Sequence, residues 1–273
     1  MGNPTIYLAE TDNRVRFVNR VLEKCWAEFT QSHELKVFVK PNIVSHEPYP
    51  TTTHPQVLAS VLDFLLDCRC QIVVADGPAV DAGDSERIIS NHPLRKVCNE
   101  RGIELQNLHK CGFKKVKAPS MSLEISTLPF ECDRIISLPV LKPHKQCQMT
   151  GALKNQFGFL HNRERILMHI KLKSLSKAIA EVNSIARSSL FIVDAIQTYT
   201  HANERRHGGR EVRLGYMLAG EDPVALDSLG LELLKRIETS LHDLCPENVA
   251  YLAHAFGLGL GNIKYKVEQV PAI

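Results

Sequence analysis

The stretch RIISLPVLKPHKQCQMTGALKN, residues 134–155, is the most informative part of this sequence. Its apolar positions from Ile135 to Val140 predict a short strand that is buried on both faces. Lys142 and His144 follow directly, where that strand ends. Ligands bind beyond the carboxyl ends of strands in open α/β sheets, because those ends meet at one edge. The stretch therefore predicts both a central strand and a functional site beside it.

Similar apolar runs recur along the chain and predict the other strands of the sheet. The predicted strands are Thr5–Ala9, Lys36–Val39, Gln71–Ala75, Arg134–Pro139, Leu190–Val193 and Tyr216–Ala219. Helical spacing of apolar residues lies between them: after Asp12, after Thr53, from Leu175 to Ala186, and after Asp222. This alternation predicts a doubly wound α/β fold, with a mostly parallel sheet and helices on both faces.

Two further expectations concern a helix start and the extent of the domain. Thr53 is expected to cap its helix, with Pro55 in the first turn and Gln56 completing a capping box. We expect a single α/β domain over residues 1–273, because no linker or repeat interrupts the chain. Residues 110–128 have the weakest pattern and are expected to form a small excursion from the sheet.

Composition is that of a globular protein and argues against several functions. Hydrophobic residues make up 44% of the chain and charged residues 23%, with a net charge of +3. So small a charge, without a basic run interleaved with aromatics, argues against nucleic-acid binding. No apolar stretch approaches the ~20 residues that a membrane-spanning helix needs, and the N-terminus lacks the apolar core of a secretory signal. We therefore expect a cytoplasmic protein without nucleic-acid or membrane partners.

The eight cysteines are expected to be free thiols, since no export signal is present and zinc and iron–sulfur spacings are missing. Cys147 is of special interest because it lies inside the candidate site. Neighbouring lysines can lower the pKa of a thiol, but no certain catalytic partner for Cys147 is evident. We expect it to be a packing residue.

Polar side chains follow other predicted strands just as they follow the first. Lys40 and Asn42 come after the second strand, Asp76 after the third, and Asp194 after the fifth. Such residues can bind a carboxylate or phosphate, although amides and carboxylates also shape turns and cap helices. The ligand-binding candidates are Lys40, Asn42, Asp76, Lys142, Thr150, Asn155 and Asp194.

His144, Lys154 and His169 are the candidate catalytic residues. Histidine carries protons near neutral pH, and lysine becomes a base or nucleophile when a dry pocket lowers its pKa. Taken alone each also fits a surface role, and His169 is expected to start a helix; their common segment favours function. Gly151 is expected to let the backbone approach a ligand. The polar segment Tyr199–Arg213 predicts an exposed loop, with a lid over the ligand as the alternative.

At these residues the chain resembles the domain-of-unknown-function family 362, DUF362. The motifs that carry the resemblance are KPN at 40–42, TTHP at 52–55, DGP at 76–78, LPVLKPH at 138–144, TGALKNQFG at 150–158 and LAGEDPVALD at 218–227. They occur in the family's order and span most of the chain. The resemblance implies the fold more firmly than a reaction. Some members carry an added ferredoxin-like cluster domain, whose cysteine motif is missing here.

The chain also resembles, more distantly, the lactate racemases. In that family a lysine anchors a nickel-pincer nucleotide, one histidine ligates the nickel and another moves a proton. Lys154 lies ten residues after His144, and His169 lies fifteen residues after Lys154, a spacing close to the family's pattern. The glycine-rich run of the racemases matches residues 150–152 only loosely. The resemblance implies a common descent of the three positions, with or without the nucleotide.

These residues predict a cytoplasmic, enzyme-like protein that binds a small anionic ligand in a Lys/His/Asp pocket, with room for a divalent metal. The expected chemistry is proton transfer next to a carboxylate, of isomerase or racemase type, in which lysines hold negative charge and His144 or His169 exchanges the proton. One alternative is a non-enzymatic role in iron–sulfur-linked electron transfer or cofactor handling, with a redox protein as partner. Another is a plain ligand-binding module. Side chains that converge favour the enzyme, whereas lysines around a flat surface favour the partner role.

Overall fold

The computed structural model describes residues 2–26 and 35–271. Its strands in chain order are β1 (Thr5–Glu10), β2 (Lys36–Pro41), β3 (Gln71–Asp76), β4 (Leu105–Asn107), β5 (Phe113–Lys117), β6 (Ser122–Ser126), β7 (Arg134–Leu138), β8 (Lys142–His144), β9 (Gln148–Thr150), β10 (Leu190–Thr200), β11 (Arg210–Gly220) and β12 (Lys266–Gln269). Eight of them form one central sheet, in the spatial order β12-β1-β11-β10-β7-β2-β3-β4.

All but one of the strands in the central sheet run in the same direction. β10, β7, β2, β3 and β4 form a continuous parallel ladder. β11 lies antiparallel between β10 and β1, and β12 is parallel to β1. The predicted α/β fold with a mostly parallel sheet is therefore confirmed.

Helices cover both faces of the sheet, as predicted. In chain order they are α1 (Arg14–Trp26), α2 (Pro55–Asp67), α3 (Ser85–Asn91), α4 (Pro93–Asn99), α5 (Ala152–Asn155), α6 (Asn162–His169), α7 (Leu175–Ile185), α8 (Pro223–Leu234) and α9 (Ala250–Gly257). Single 3₁₀ turns occupy Leu108–Lys110, Leu128–Glu131, Gln156–Phe159, Arg205–His207, Thr239–Leu241 and Pro246–Asn248. Alternate side chains of β2 enter different cores: Val37 and Val39 pack with α1 to α4, and Phe38 packs with α5 to α9.

The start of α2 differs from the prediction. His54 is the N-cap, and its Nδ1 accepts a hydrogen bond from the backbone N–H of Gln56 at 3.1 Å. The hydroxyl of Thr53 instead donates to the carbonyl of Leu138 at 2.7 Å and accepts from the N–H of Asn42. Thr53 thus ties the end of β2 to the end of β7, and this long-range contact replaces the local cap.

Two hairpins lie outside the central sheet. β5 and β6 pair within the region 110–128, where the sequence predicts a small excursion. β8 and β9 pair just beyond the end of β7, so that Lys142 lies opposite Thr150. This second hairpin holds several candidate residues at the carboxyl edge of the parallel strands.

The loop between β10 and β11 is shorter than predicted. β10 continues to Thr200 and β11 begins at Arg210, which leaves only residues 201–209 between them. The predicted bounds Tyr199–Arg213 are therefore wrong at both ends. Because β10 is parallel to β7, this loop leaves the sheet at the edge where the candidate residues lie.

Candidate functional site

A cavity of about 670 Å³ opens at the carboxyl ends of the parallel strands. The structure brings most of the predicted site residues together there. The candidates that line the cavity are Lys40, Asn42, Asp76, Lys142, His144, Thr150, Lys154, Asn155 and His169. Asp194 lies elsewhere.

Lys40 and Asp76 form a buried ion pair at the ends of β2 and β3, with Nζ of Lys40 2.5 Å from Oδ1 of Asp76. The carboxylate also accepts hydrogen bonds from the backbone N–H groups of Ile43 and Gly77. Burial lowers the pKa of Lys40, and the charge of Asp76 opposes that shift. The charge of Lys40 is thus already neutralised, and the pair supports the cavity wall.

Lys142 is buried without a carboxylate beside it. Its ammonium group donates to the backbone carbonyl of Thr51 at 2.6 Å. The pKa of Lys142 is lowered to about 7, mainly by burial and also by the charge of Lys154, while Glu204 and Glu47 oppose the shift. An anion in the cavity would stabilise the charged form of this amine.

Lys154 lies on the short helix α5, whose first turn is held by Asp227. The Asp227 carboxylate accepts hydrogen bonds from the N–H groups of Ala152 at 2.6 Å and Leu153 at 3.2 Å. A Cβ atom at Gly151 would lie 2.1 Å from Oδ1 of Asp227. The close approach that Gly151 allows is therefore to this carboxylate, and an approach of the backbone to a ligand stays a prediction.

The amine of Lys154 faces the cavity without a partner. No other part of the described chain gives its Nζ a hydrogen bond or an ion pair. Burial lowers the pKa of Lys154. Its positive charge lowers the pKa of His144, of Lys142 and of His169, so the four groups act on one another electrostatically.

His144 has one of its ring nitrogens engaged by the backbone. Nδ1 accepts from the N–H groups of Gln146 at 3.1 Å and Cys147 at 3.2 Å. An accepting Nδ1 carries no proton, so the neutral ring carries its proton on Nε2. Burial and the charges of Lys154 and Lys142 hold the pKa of His144 well below its usual range. His144 is therefore suited to donate a hydrogen bond to a ligand rather than to accept a proton.

His169 ends a helix, whereas the sequence predicts that it starts one. α6 begins at Asn162, seven residues earlier, and Nδ1 of His161 caps it by accepting from the N–H of Arg163. His169 is exposed at the rim of the cavity. Partial burial and the charge of Lys154 lower its pKa. An exposed imidazole can exchange protons with both solvent and ligand, which distinguishes His169 from His144.

Arg165 is a cavity residue that the argument from strand ends misses, because it lies on α6. Its buried guanidinium donates to the carbonyls of Gly77 at 3.1 Å and Pro78 at 2.7 Å. Burial lowers the pKa of Arg165 to about 10. A signal was present in the sequence: Arg165 lies four residues before His169, and residues at that spacing share a helix face.

The loop 201–209 borders the cavity from the side of β10. Glu204 and His207 line the cavity together with Asp81, which follows β3. Arg206 links these segments, with Nε 2.5 Å from a Glu204 oxygen and an NH2 nitrogen 3.1 Å from Oδ1 of Asp81. The loop therefore lies where a lid would lie, which is the alternative interpretation of this segment.

Asp194 belongs to a separate cluster. Its carboxylate accepts from Nε of Arg14 at 2.6 Å and from the hydroxyl of Tyr49 at 2.7 Å. The guanidinium of Arg14 also lies over the Tyr49 ring, 4.6 Å from its centroid. The predicted placement of Asp194 differs from the structure because β10 continues beyond it to Thr200.

The polar candidates differ in what they offer a ligand. The side-chain amide of Asn42 donates to the carbonyl of Thr51, and that of Asn155 donates to Oγ of Ser137 at 2.8 Å. Both amides hold neighbouring segments together. The buried hydroxyl of Thr150 has no hydrogen-bond partner in the described part of the chain. Because an unsatisfied buried hydroxyl is costly, a ligand atom is a suitable partner for it.

The charges that line the cavity do not balance. Each lining carboxylate already has a basic partner: Lys40 pairs with Asp76, and Arg206 pairs with Asp81 and Glu204. Three buried or half-buried cations have no ion-pair partner among residues 2–26 and 35–271: Lys142, Lys154 and Arg165. The cavity therefore favours an anion.

All eight cysteines are free thiols, as predicted. Cys147 is buried in the apolar core that includes α5 and α8. Burial raises the pKa of its thiol, and Lys154 opposes that shift. A protonated thiol is a weak nucleophile. The packing role of Cys147 stays a prediction.

Metal donors do not gather around this cavity. Within the described ranges, no group of three or more His, Cys, Asp or Glu residues is arranged to hold a metal ion. His144 has one ring nitrogen engaged by backbone amides. This donor set does not fit a metal ion held by the protein alone.

A family model described as a domain of unknown function (DUF362) matches residues 37–232. The match begins in β2 and ends in α8, and it includes the strand ends, the β8–β9 hairpin and the loop that border the cavity. The resemblance inferred from the motifs is thereby confirmed.

A thylakoid-associated protein of Synechocystis sp. is 25% identical over 207 residues, which cover 73% of this chain and 63% of that protein. The lactate racemase apoprotein from Thermoanaerobacterium thermosaccharolyticum has a similar fold, with a TM-score of 0.51 and 12% identity over 92% of this chain and 56% of that one. A protein from Thermotoga maritima gives a TM-score of 0.44 at 12% identity, over 82% of this chain and 56% of that one. The chain thus spans less than two thirds of each. No helix in the described ranges is both long and apolar enough to cross a membrane.

Proposed function

The chain belongs to the DUF362 family, and from that premise we propose that it is an enzyme that binds a small anionic ligand in this cavity and transfers a proton next to the ligand's carboxylate. The observation that carries the proposal is the charge imbalance of the cavity. Lys142, Lys154 and Arg165 have no ion-pair partner in the described structure, while the lining carboxylates are all paired. Leaving buried charge unpaired is costly, so an anionic ligand would supply the missing partner.

The two histidines would have different roles in such a reaction. His144 is held neutral with its proton on Nε2, so it would donate a hydrogen bond to the oxygen that gains charge. A neutral imidazole with a lowered pKa is known to act in this way. His169 is exposed at the rim of the cavity and can reach both solvent and ligand, so it would exchange the proton. Lys142 and Arg165 would hold the carboxylate.

A non-enzymatic role beside an iron–sulfur protein is less well supported by the geometry. Lysines that point outward around a flat surface would favour that role. Lys40, Lys142 and Lys154 instead line a cavity. The distant similarity to a lactate racemase concerns the fold, and it leaves the substrate and the cofactor of this chain as matters for experiment.

The first test is calorimetric titration of the protein with lactate, malonate and inorganic phosphate at low ionic strength. At least one should bind, and Lys142→Ala should weaken that binding about tenfold or more, because a hydrogen bond to a charged group is worth roughly 1.5–3 kcal/mol. Lys115→Ala removes an exposed lysine of β5 and serves as the matched control. Absence of binding by all three anions, or equal weakening in both variants, would count against the proposal.

The second test concerns proton transfer itself. The protein is incubated in D₂O with the carboxylate that binds, and deuterium at the carbon next to the carboxylate is followed by NMR. Catalysed exchange that disappears in His169→Gln supports the enzyme. Binding without any exchange over a panel of carboxylates would leave a ligand-binding module and overturn the catalytic part.

A further inference from the structure

We propose that the amine of Lys154 forms an imine with a small α-oxo carboxylic acid, so that the cavity takes a ligand carrying a carbonyl group beside its carboxylate. This inference rests on the proposed anion-binding function and deepens it by naming the ligand class. It follows from what surrounds Lys154 and what distinguishes it from the other lysines of the cavity.

Every other lysine that lines the cavity has its ammonium group engaged. Lys40 is paired with Asp76, Lys142 donates to the carbonyl of Thr51, and Lys145 donates to the carbonyl of His207 at 3.1 Å. Lys154 alone among the cavity lysines has no such partner in the described part of the chain. Its amine is therefore free to approach a carbonyl carbon.

The environment of Lys154 favours the neutral amine, which is the nucleophilic form. The side chain is largely withdrawn from solvent, which is the main cause that lowers its pKa, while Cys147, Glu204 and Asp81 oppose the shift. Arg165 contributes directly to this shift, and Lys142 is electrostatically linked to Lys154. Desolvation and a neighbouring cation are the two means by which proteins activate a lysine for attack on carbonyl groups.

The same neighbours provide a place for the carboxylate of the ligand. Lys142 and Arg165 line the cavity and have no carboxylate partner in the described structure. The hydroxyl of Thr150, opposite Lys142 in the β8–β9 hairpin, is buried and has no hydrogen-bond partner there. A carboxylate bound by these groups would place the adjoining carbonyl carbon within the cavity that Lys154 lines.

The chemistry needs no further reactant. The nitrogen of Lys154 attacks the carbonyl carbon, the carbon–oxygen double bond becomes a carbon–nitrogen double bond, and the oxygen leaves as water. No group is oxidised or reduced. The protonated imine then withdraws electrons from the carbon on its other side, which makes a proton on that carbon easier to remove. His169 would accept that proton, which lies one carbon further from the carboxylate than the proton considered under the proposed function.

The test is trapping of the imine by reduction. The full chain is incubated with pyruvate and sodium cyanoborohydride near pH 7.5, and the labelled lysines are located by mass spectrometry of peptides. Lysines with a lowered pKa present more neutral amine at this pH, so we expect Lys154 to carry roughly tenfold or more label than Lys115. Lactate has the same carboxylate but no carbonyl group, so it should compete without being trapped.

Lys154→Arg keeps a positive charge but cannot form an imine, and should abolish the specific label, whereas Lys115→Arg should leave it unchanged. Peptide mapping of the labelled chain without substitutions also identifies the lysine that carries the label, so the test does not depend on whether a variant folds. Label spread evenly over surface lysines, or label concentrated on Lys142, would overturn the inference. If lactate binds but no label appears at Lys154, the imine is wrong while the anion-binding proposal stands. If no label appears and lactate, malonate and phosphate all fail to bind, both are wrong.

Discussion

The ammonium group of Lys40 lies 2.5 Å from the carboxylate of Asp76, and both side chains are almost completely buried where two neighbouring strands end. A Cβ atom at Gly158 would lie within 3 Å of both groups, so the glycine is what lets the chain close over the pair. The strand-end pattern thus predicts the meeting of these residues but not the ion pair that they form with each other. The charge of Lys40 is balanced by Asp76, and its role in ligand binding stays a prediction.

Asp76→Asn should strongly destabilise the protein. The substitution leaves the ammonium of Lys40 buried without its counter-charge, and breaking a buried pair from one side costs about 3–5 kcal/mol. Urea unfolding followed by circular dichroism measures the change in the free energy of unfolding. Lys40→Met combined with Asp76→Asn should recover part of the loss. A single-variant loss below about 1 kcal/mol would show that the pair is solvated.

Asp194→Asn should lower stability without affecting anion binding. Arg14 is buried against Asp194, so removal of the carboxylate charge leaves the guanidinium without its ion-pair partner. We expect a clear decrease in Tm, while the Kd for a bound carboxylate changes less than about twofold because Asp194 does not line the cavity. Calorimetry on the folded variant checks the second part. A large loss of affinity would place Asp194 in the site after all.

Anion affinity should decrease as the pH rises through about 7, the pKa to which burial lowers Lys142. Below that pH the ammonium group is charged and attracts the anion; above it the neutral amine does not. If binding takes up one proton, the Kd rises about tenfold for each pH unit above the pKa. Titrations with lactate from pH 6 to 9 avoid a charge change on the ligand. Lys142→Met should bind more weakly at pH 6 and show a shallower slope; an identical slope would contradict the assignment.

Gly151→Ala should destabilise the protein by about 1–3 kcal/mol, because the added methyl group collides with the Asp227 carboxylate. Gly257→Ala is the control, since a Cβ atom there meets nothing within 4 Å. Introducing Asp227→Ala relieves the collision, so Gly151→Ala should cost less in that background. Additive losses in the double variant would mean that the two residues do not touch in solution.

His144, Lys154 and His169 should behave as one unit once a turnover is found. If each is needed for the same step, replacing any one by alanine removes most of the activity, and combining the replacements adds little. Initial rates of the three single variants and the triple variant are compared at saturating ligand, with folding checked by circular dichroism. Small losses that multiply together would show that the three residues contribute independently.

The central strands could be predicted because strands buried on both faces are continuous apolar runs. Val37 to Val39 and Ile135 to Leu138 are of this kind. β4 has three residues and β12 is largely exposed, so neither carries such a signal. The reversed direction of β11 did not follow from the predicted bounds, because a strand end at Val193 and a strand start at Tyr216 leave room for a crossover, whereas only nine residues separate β10 from β11 in the structure.

The site was harder to predict because its geometry depends on contacts between distant segments. The grouping of Lys142, His144 and Lys154 could be predicted because all three lie in the segment that directly follows β7. Nothing local showed that Asp227, more than seventy residues later, would occupy the space beside Gly151. Arg165 does not follow a strand, so the pattern of strand ends did not predict it, although its spacing from His169 indicated a shared helix face. Whether a buried lysine such as Lys40 can bind a ligand depends on whether a carboxylate of the protein lies beside it, as Asp76 does here.

The antiparallel placement of β11 has a consequence for how this site can change over time. Residues 201–209 are anchored at both ends in adjacent strands, while Glu204 and His207 border the cavity. Substitutions in this loop can leave the register of the sheet unchanged, although Glu204 also opposes the lowered pKa of Lys142 and of Lys154. Under the proposed function, admission of a ligand would depend mainly on this loop and the chemistry on the strand ends and on α5, so descendants of one ancestor could diversify the first while inheriting most of the second.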